Sequence, residues 1–230
     1  MGAGRIIVVA GTDTEIGKTT AGCALLYALR QQGQTVRGIK PVESGTDTQA
    51  RPTDEDGRRL ACAAAQDEPV EALQRLRAPL APPVAARDEG VELRPRQWME
   101  TISRVAAGAD LTLVEGAGGL LSPLADGFDT RDLAGCLEAP VLLVASDRLG
   151  TLNHTFLTME ALRSRGVGVV GVIFCAPKSS DASTGRNASV VATRSEGLPV
   201  VTLPRIDGDA EGAGVLESSP LMPVLLADAP

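Results

Sequence analysis

The hydrophobic residues of this chain fall into short unbroken runs separated by longer segments of helical character. Runs of the first kind are Ile6–Ala10, Val36–Lys40, Leu111–Glu115, Val141–Ser146, Val167–Phe174 and Val200–Leu203. Several are continuous Val, Ile and Leu without polar alternation, the mark of a strand covered on both faces in a parallel sheet. Segments of the second kind, Lys18–Gln32, Asp56–Ala65, Pro95–Ala107 and Leu152–Arg165, predict helices. Strand and helix in alternation require right-handed crossovers, so the expected fold is α/β: a doubly wound, mainly parallel sheet flanked by helices. Such sheets bind ligands beyond the carboxyl ends of their strands. Ser44–Thr53 and Lys178–Arg186 read as loops. The tail after Asp207 is rich in Gly, Pro and Ala, with one apolar patch at Leu221–Leu226. Neither a repeat nor an interdomain linker interrupts the pattern, so residues 1–230 are expected to form one domain, with no role assigned to the tail.

Composition narrows the picture. The chain holds 25 glycines but only one Trp, one Tyr and three Phe, which suits an Ala/Val/Leu-packed α/β core better than an aromatic-cored sandwich. A formal net charge of −7, with no stretch concentrating Lys and Arg, argues against a nucleic-acid partner. Apolar runs all fall short of the roughly 18 residues needed to span a membrane. Ile6–Ala10 is only strand length, and Met1-Gly2 is followed by Ile6 where myristoylation needs Ser or Thr, so the expected location is the cytoplasm. Cys23, Cys62, Cys136 and Cys175 form no C-x-x-C pair and read as small residues of a reduced protein.

The polar motifs follow the strands. Gly11-Thr12-Asp13-Thr14-Glu15-Ile16-Gly17-Lys18-Thr19-Thr20 joins the first strand to the first helix. Gly-Lys-Thr at a helix start offers backbone N–H groups and the positive end of the helix dipole to phosphate oxygens. Lys18 would reach the β- and γ-phosphates and the Thr19 hydroxyl would ligate Mg²⁺, as in a P-loop, although five residues rather than four separate the glycines. Lys40-Pro41-Val42-Glu43-Ser44-Gly45 is expected to set a second cation and a hydroxyl at the carboxyl edge of the strand neighbouring the first, beside the phosphate loop and facing the same polar cleft. Glu115-Gly116-Ala117-Gly118-Gly119 ends a buried strand in a carboxylate, the usual place for a magnesium ligand. Asp54, Glu55 and Asp56 precede a helix, and both an N-cap and a second metal carboxylate fit there. His154 is the single histidine and no G-x-S-x-G occurs, so a hydrolase triad is not indicated, while Gly150-Thr151-Leu152-Asn153 opens a helix able to bind an anion.

With Gly11–Thr19, Lys40–Gly45, Glu115–Gly119 and Leu149–His154 in this order, the chain from about Arg5 to about Ile206 resembles the dethiobiotin synthetase family. That resemblance implies a cytoplasmic homodimer that uses Mg²⁺ and ATP to join 7,8-diaminononanoate and CO2 into dethiobiotin. A carbamate of one amine would attack the γ-phosphate, and the second amine would close the ring. Carried over to this chain, Lys18 and Lys40 would stabilise the reacting groups, and Thr19, Asp56 (rather than Asp54) and Glu115 would hold the metal. Glu15, Ile16, Gly17, Thr20, Gly116, Ala117, Gly118, Pro204, Arg205 and Ile206 would complete the nucleotide site. Thr14, Glu15 and Ser44 would hold the carbamate and amines. Gly150, Thr151, Leu152 and Asn153 would bind the distal carboxylate across the dimer. One departure stands out: where many members carry an Asn that reads adenine, this chain has Phe174-Cys175-Ala176-Pro177, so other nucleoside triphosphates are expected to substitute for ATP. Rival readings fit less well. Corrinoid-amidating synthetases usually carry a glutaminase domain for which there is no room. Partitioning ATPases place an extra lysine where this chain has Asp13. A bare nucleotide switch would ignore diaminononanoate.

Overall fold

The strand that precedes the Gly-Lys-Thr motif lies inside the sheet and shows why its run is unbroken: Ile7 and Val9 enter one hydrophobic core while Val8 and Ala10 enter another. The computed structural model of the protein describes residues 4–48 and 51–227. The Met1-Gly2 reading and part of the Ser44–Thr53 loop therefore lie outside the described residues.

The chain begins β1 (Arg5–Gly11), α1 (Lys18–Gln31), β2 (Val36–Ile39), β3 (Val42–Ser44), α2 (Asp56–Ala64) and β4 (Gln74–Leu76). It continues through α3 (Pro82–Glu89), α4 (Pro95–Ala106), β5 (Leu111–Glu115), β6 (Pro123–Ala125), β7 (Phe128–Asp129) and α5 (Thr130–Cys136). The remainder is β8 (Val141–Ser146), α6 (Thr151–Arg163), β9 (Val169–Cys175), α7 (Asn187–Arg194), β10 (Val200–Leu203), α8 (Asp209–Glu217) and α9 (Leu221–Leu226). Six strands form one parallel sheet in the order β10-β9-β8-β1-β5-β2. The order reverses beside β1, whose neighbours are β5 and β8, and that is where an open α/β sheet leaves a crevice. The strand before Lys40, expected beside β1, instead lies beyond β5, and the long lysine side chain reaches back to Glu115 at the end of β5. All six predicted strands and all four predicted helices are present within two residues of their expected ends.

The segments read as tail or loop contain further helices. On one face of the sheet, α1 and α2 pack with Ala213 and Leu216 of α8 and with Leu221, Met222 and Leu225 of α9. Burying side chains of this kind is worth about 1.5–3 kcal/mol each, so the tail is part of the core. Arg5, at the start of β1, donates from its guanidinium to Val224 O at 2.8 Å and to Ala227 O at 3.2 Å, satisfying carbonyls at the end of α9. The other face is covered by a core that includes Ala85, Trp98, Ile102, Leu133 and Leu162, from α3, α4, α5 and α6. Helix α5 has a reciprocal cap: Asp129 accepts from Arg131 and Asp132 N–H while Asp132 accepts from Asp129 N–H.

Candidate active site

Between β1 and α1 the chain wraps a loop that only particular backbones permit. Gly17 adopts φ 97°, and a Cβ there would lie 2.9 Å from Cys175 Sγ, so both conformation and space require glycine. The loop delivers Lys18 and Thr19 into the first turn of α1, and it opens on a cleft of about 700 Å³. Thr14, Glu15, Ile16, Gly17, Lys18, Thr19 and Thr20 all line this cleft, joined by Lys40, Ser44, Asp56, Ala117 and Gly118.

The floor of the cleft is a polar cluster assembled from four elements. Lys40, just past β2, donates to Asp56 Oδ2 at 2.8 Å, to Glu115 Oε1 at 2.7 Å and to Gly116 O at 3.3 Å. Its three donors are thereby engaged, although Lys40 is only 3% exposed. Burial works against its charge, but Glu115 and Asp56 outweigh burial and hold its pKa well above the ordinary lysine range. The Thr19 hydroxyl sits 2.7 Å from Asp56 Oδ1 and 2.8 Å from Glu115 Oε1, so its single proton serves one carboxylate at a time. Burial also opposes ionisation of Asp56, yet Lys40 and the bonds from Lys40 and Thr19 keep its carboxyl below the usual range. Glu115 Oε2 is buried without a hydrogen-bond partner. An orphaned carboxylate oxygen beside a hydroxyl and a second carboxylate is an oxygen donor set that suits a hard divalent cation with few protein ligands.

Lys18 differs from Lys40. Its ammonium donates to Asp13 O at 2.9 Å, and burial, with Lys40 adding to it, lowers its pKa to about 8 against the pull of Glu115. A phosphate arriving there would restore full charge. Both lysines line the cleft, as expected, but both are buried side chains rather than exposed ones.

Two further carboxylates hold this cluster in place: Glu43, to which the sequence reading gave no role, and Glu55 of the acidic run, which occupies the N-cap position of α2. Glu43, 4% exposed, accepts from Asp56 N–H at 2.6 Å and Gly57 N–H at 3.0 Å, capping α2 from another part of the chain. Burial raises its pKa despite those bonds. Glu55, 2% exposed, is held by Arg75 at 2.6 Å and by Arg58 at 3.4 Å. Two anchors thus fix the start of α2, and with it Asp56. Asp54 is exposed and lies outside the cleft lining. Arg59 and Ser122 also line the cleft. Glu43 and Arg59 stand within or beside quoted motifs, yet only the folded chain aims them at the cleft.

Two predicted groups lie apart from the cleft lining. Pro204, Arg205 and Ile206 follow β10, whose Leu203 carbonyl accepts from Ala176 N–H at 2.9 Å, so both strand ends run side by side. Gly150, Thr151, Leu152 and Asn153 start α6. Their loop is anchored by Asp147, 1% exposed, which accepts from Asn187 Nδ2 at 2.6 Å and Gly185 N–H at 2.7 Å. Arg148 reaches Asp13 Oδ2 at 3.5 Å, linking that loop to the phosphate loop. Leu149 is 81% and Leu157 57% exposed on the same stretch. Among the described residues no helix is long and apolar enough to cross a membrane.

Comparison with known proteins adds three findings. The family model described as "AAA domain" matches residues 5–207. The ATP-dependent dethiobiotin synthetase BioD of Aromatoleum aromaticum is 44% identical over 172 residues, 74% of this chain and 76% of that protein. Its counterpart in Anaeromyxobacter dehalogenans strain 2CP-C is 42% identical over 204 residues, 87% of this chain and 90% of that protein. In structure, the cell division ATPase MinD of Pyrococcus furiosus aligns with a TM-score of 0.57 at 20% identity, covering 95% of this chain and 90% of that one, a likeness of fold.

Proposed function

The chain belongs to the ATP-dependent dethiobiotin synthetase family, and from that premise we infer how its cleft carries out the reaction. The protein is an ATP-dependent ligase of biotin biosynthesis. Its substrates are 7,8-diaminononanoate, CO2 or bicarbonate, and nucleotide. One amine takes up CO2, releasing a proton and leaving a carbamate. A carbamate oxygen attacks the γ-phosphorus, ADP departs, and the second amine then attacks the carbamoyl carbon and expels phosphate to close the cyclic urea.

The cleft suits that sequence because two anions must meet in it. Backbone N–H groups at the start of α1 hold the phosphates. Lys18, its pKa depressed by burial, regains its charge on the phosphates, while Lys40 stands at the side from which the carbamate approaches. Neither lysine forms a bond to substrate; each is a preorganised charge, which is what phosphoryl transfer asks of a protein. Thr19, Asp56 and Glu115 are the residues that would hold magnesium, which supplies charge neutralisation across the phosphates when bound. Glu15, Ile16, Gly17, Thr20, Gly116, Ala117 and Gly118 frame the nucleotide's phosphates, Pro204, Arg205 and Ile206 flank its base, and Thr14 and Ser44 hold the carbamate end.

The distal carboxylate falls to Gly150–Asn153 of a second subunit, in a cytoplasmic homodimer of single-domain chains. Exposed Leu149 and Leu157 beside that helix start support the dimer.

The observation that carries this reading is Lys40 buried on Asp56 and Glu115, at the end of β2, with β5 between it and the strand of the phosphate loop. The test is nucleotide consumption with and without diaminononanoate and bicarbonate: phosphate release should require both, and brisk hydrolysis unchanged without the diamine would overturn it.

A further inference from the structure

The first turn of α2 carries two consecutive arginines whose circumstances differ. A cation in a first turn is disfavoured by the helix dipole, so each arginine calls for a compensating contact. Arg58 has one: it reaches Glu71 at 2.6 Å and Glu55 at 3.4 Å. Arg59 points the other way. It lines the 700 Å³ cleft beside Asp56, three residues earlier on the same helix face. Its side chain is half-buried and makes no hydrogen bond or ion pair among the described residues, although its charge helps from a distance to keep Asp56 ionised.

The charges of the cleft give that placement a purpose. Glu15, Glu43 and Asp56 line it and Glu115 lies beneath, against the two cations Lys18 and Lys40. Lys40 is committed to carboxylates and a carbonyl. That leaves Lys18 and Arg59 to face an incoming polyphosphate. A guanidinium is always charged and offers a planar fork of donors matched to phosphate oxygens. We propose that Arg59 is a nucleotide-phosphate ligand, contacting the polyphosphate from the α2 side while the phosphate loop holds it from the α1 side. The assignment deepens the nucleotide site proposed above and rests on it.

The protein tests this with Arg59→Ala, Arg59→Lys and, as a control outside the cleft, Arg96→Ala on the exposed face of α4. Calorimetric titration with ATP, CTP, GTP and UTP in the presence of Mg²⁺ measures affinity, and steady-state kinetics measure both KM values. Arg59→Ala should weaken all four nucleotides by about tenfold or more, the scale of one lost charge-assisted hydrogen bond. The KM for diaminononanoate should move less than about twofold on the same scale. Arg59→Lys should recover part of the loss, and Arg96→Ala should leave nucleotide affinity intact. Ligand-free Arg59→Ala should melt close to wild type, since the side chain makes no hydrogen bond or ion pair among the described residues and the variant gives up only a distant attraction to Asp56 against a dipole penalty relieved. Affinity within about twofold of wild type would overturn the proposal. So would a loss confined to one base, or a parallel fall in nucleotide affinity, diamine KM and melting midpoint. A wild-type protein that binds no nucleotide would instead sink the site reading and this assignment with it.

Discussion

The phosphate end of the cleft and the strand ends assigned to the base are built on opposite plans. At the phosphate end, Lys40, Asp56, Glu115 and Thr19 form one buried network, fastened by Glu43 and Glu55. At the base end, Cys175, Ala176 and Pro177 offer no side-chain amide, and Pro204 and Arg205 are exposed. A buried thiol meets the phosphate loop there, Cys175 Sγ lying 3.7 Å from Gly17 O. Charge developing at phosphorus needs donors fixed in advance, because reorganising them would cost as much as they contribute. A base that takes no part in the chemistry needs only contact. The difference teaches where this protein spends its polar groups.

The comparison breaks first if the phosphate end proves tolerant. Lys18→Ala and Lys40→Ala should each lower kcat by roughly 10²-fold or more, the loss of one preorganised stabiliser. They should then part company: Lys40→Ala strands Asp56 and Glu115 and should cost about 3–5 kcal/mol of unfolding free energy. Lys18→Ala should cost far less, because its ammonium is already disfavoured by burial. Kinetics combined with denaturant titration of both variants decides the matter.

A smaller effect probes the fastening. Glu43→Ala removes the acceptor for two N–H groups of α2 and should destabilise the protein by about 0.5–2 kcal/mol, the range of a lost cap. If Glu43 positions Asp56, the variant should also bind Mg²⁺ and nucleotide together more weakly, with a titration in Mg²⁺ shifted upward by several-fold. An unchanged Mg²⁺ titration would reduce Glu43 to a plain helix cap.

The base end should yield the smallest differences. CTP, GTP and UTP should support turnover within roughly tenfold of ATP, a difference of about 1.4 kcal/mol. Steady-state kcat/KM for the four nucleotides checks this, and a preference for ATP above about a thousandfold would show that the base end holds a reader after all. Thiol chemistry sharpens the same contrast. Burial pushes the Cys175 thiol up to about 12, so at pH 8 it should resist alkylation while exposed Cys62 and Cys136 react. Mass mapping of a brief iodoacetamide pulse reads the outcome, with or without nucleotide.

The sheet was legible in sequence because strands buried on both faces are built mostly of Val, Ile, Leu and Ala, as β1 and β8 illustrate. The helices Asp209–Glu217 and Leu221–Leu226 were not: Gly212 and Gly214 interrupt the first and Pro223 sits in the second, so intrinsic preference disguised what packing on α1 enforces. The site divided the same way. Lys18, Thr19, Lys40 and Glu115 could be found by their place at strand ends and a helix start. Glu43 and Arg59 could not, since each matters through a neighbour that only the folded chain supplies: Asp56 N–H for one, the cleft for the other.

The clasp between Arg5 and the end of α9 joins residues 219 positions apart, and that bears on how the chain is made. Strand β1 is made before both strands that flank it in the sheet, and the helix it clasps follows them. Its apolar side chains therefore wait for their sheet partners until residues 111–146 have been made. Contacts so distant in sequence fold slowly, because the loop must close before any of them is rewarded. The nascent chain is accordingly an aggregation hazard until the α9 patch emerges. A protein shortened by a premature stop near residue 207 would keep every motif of the cleft and still expose the core face on which they stand.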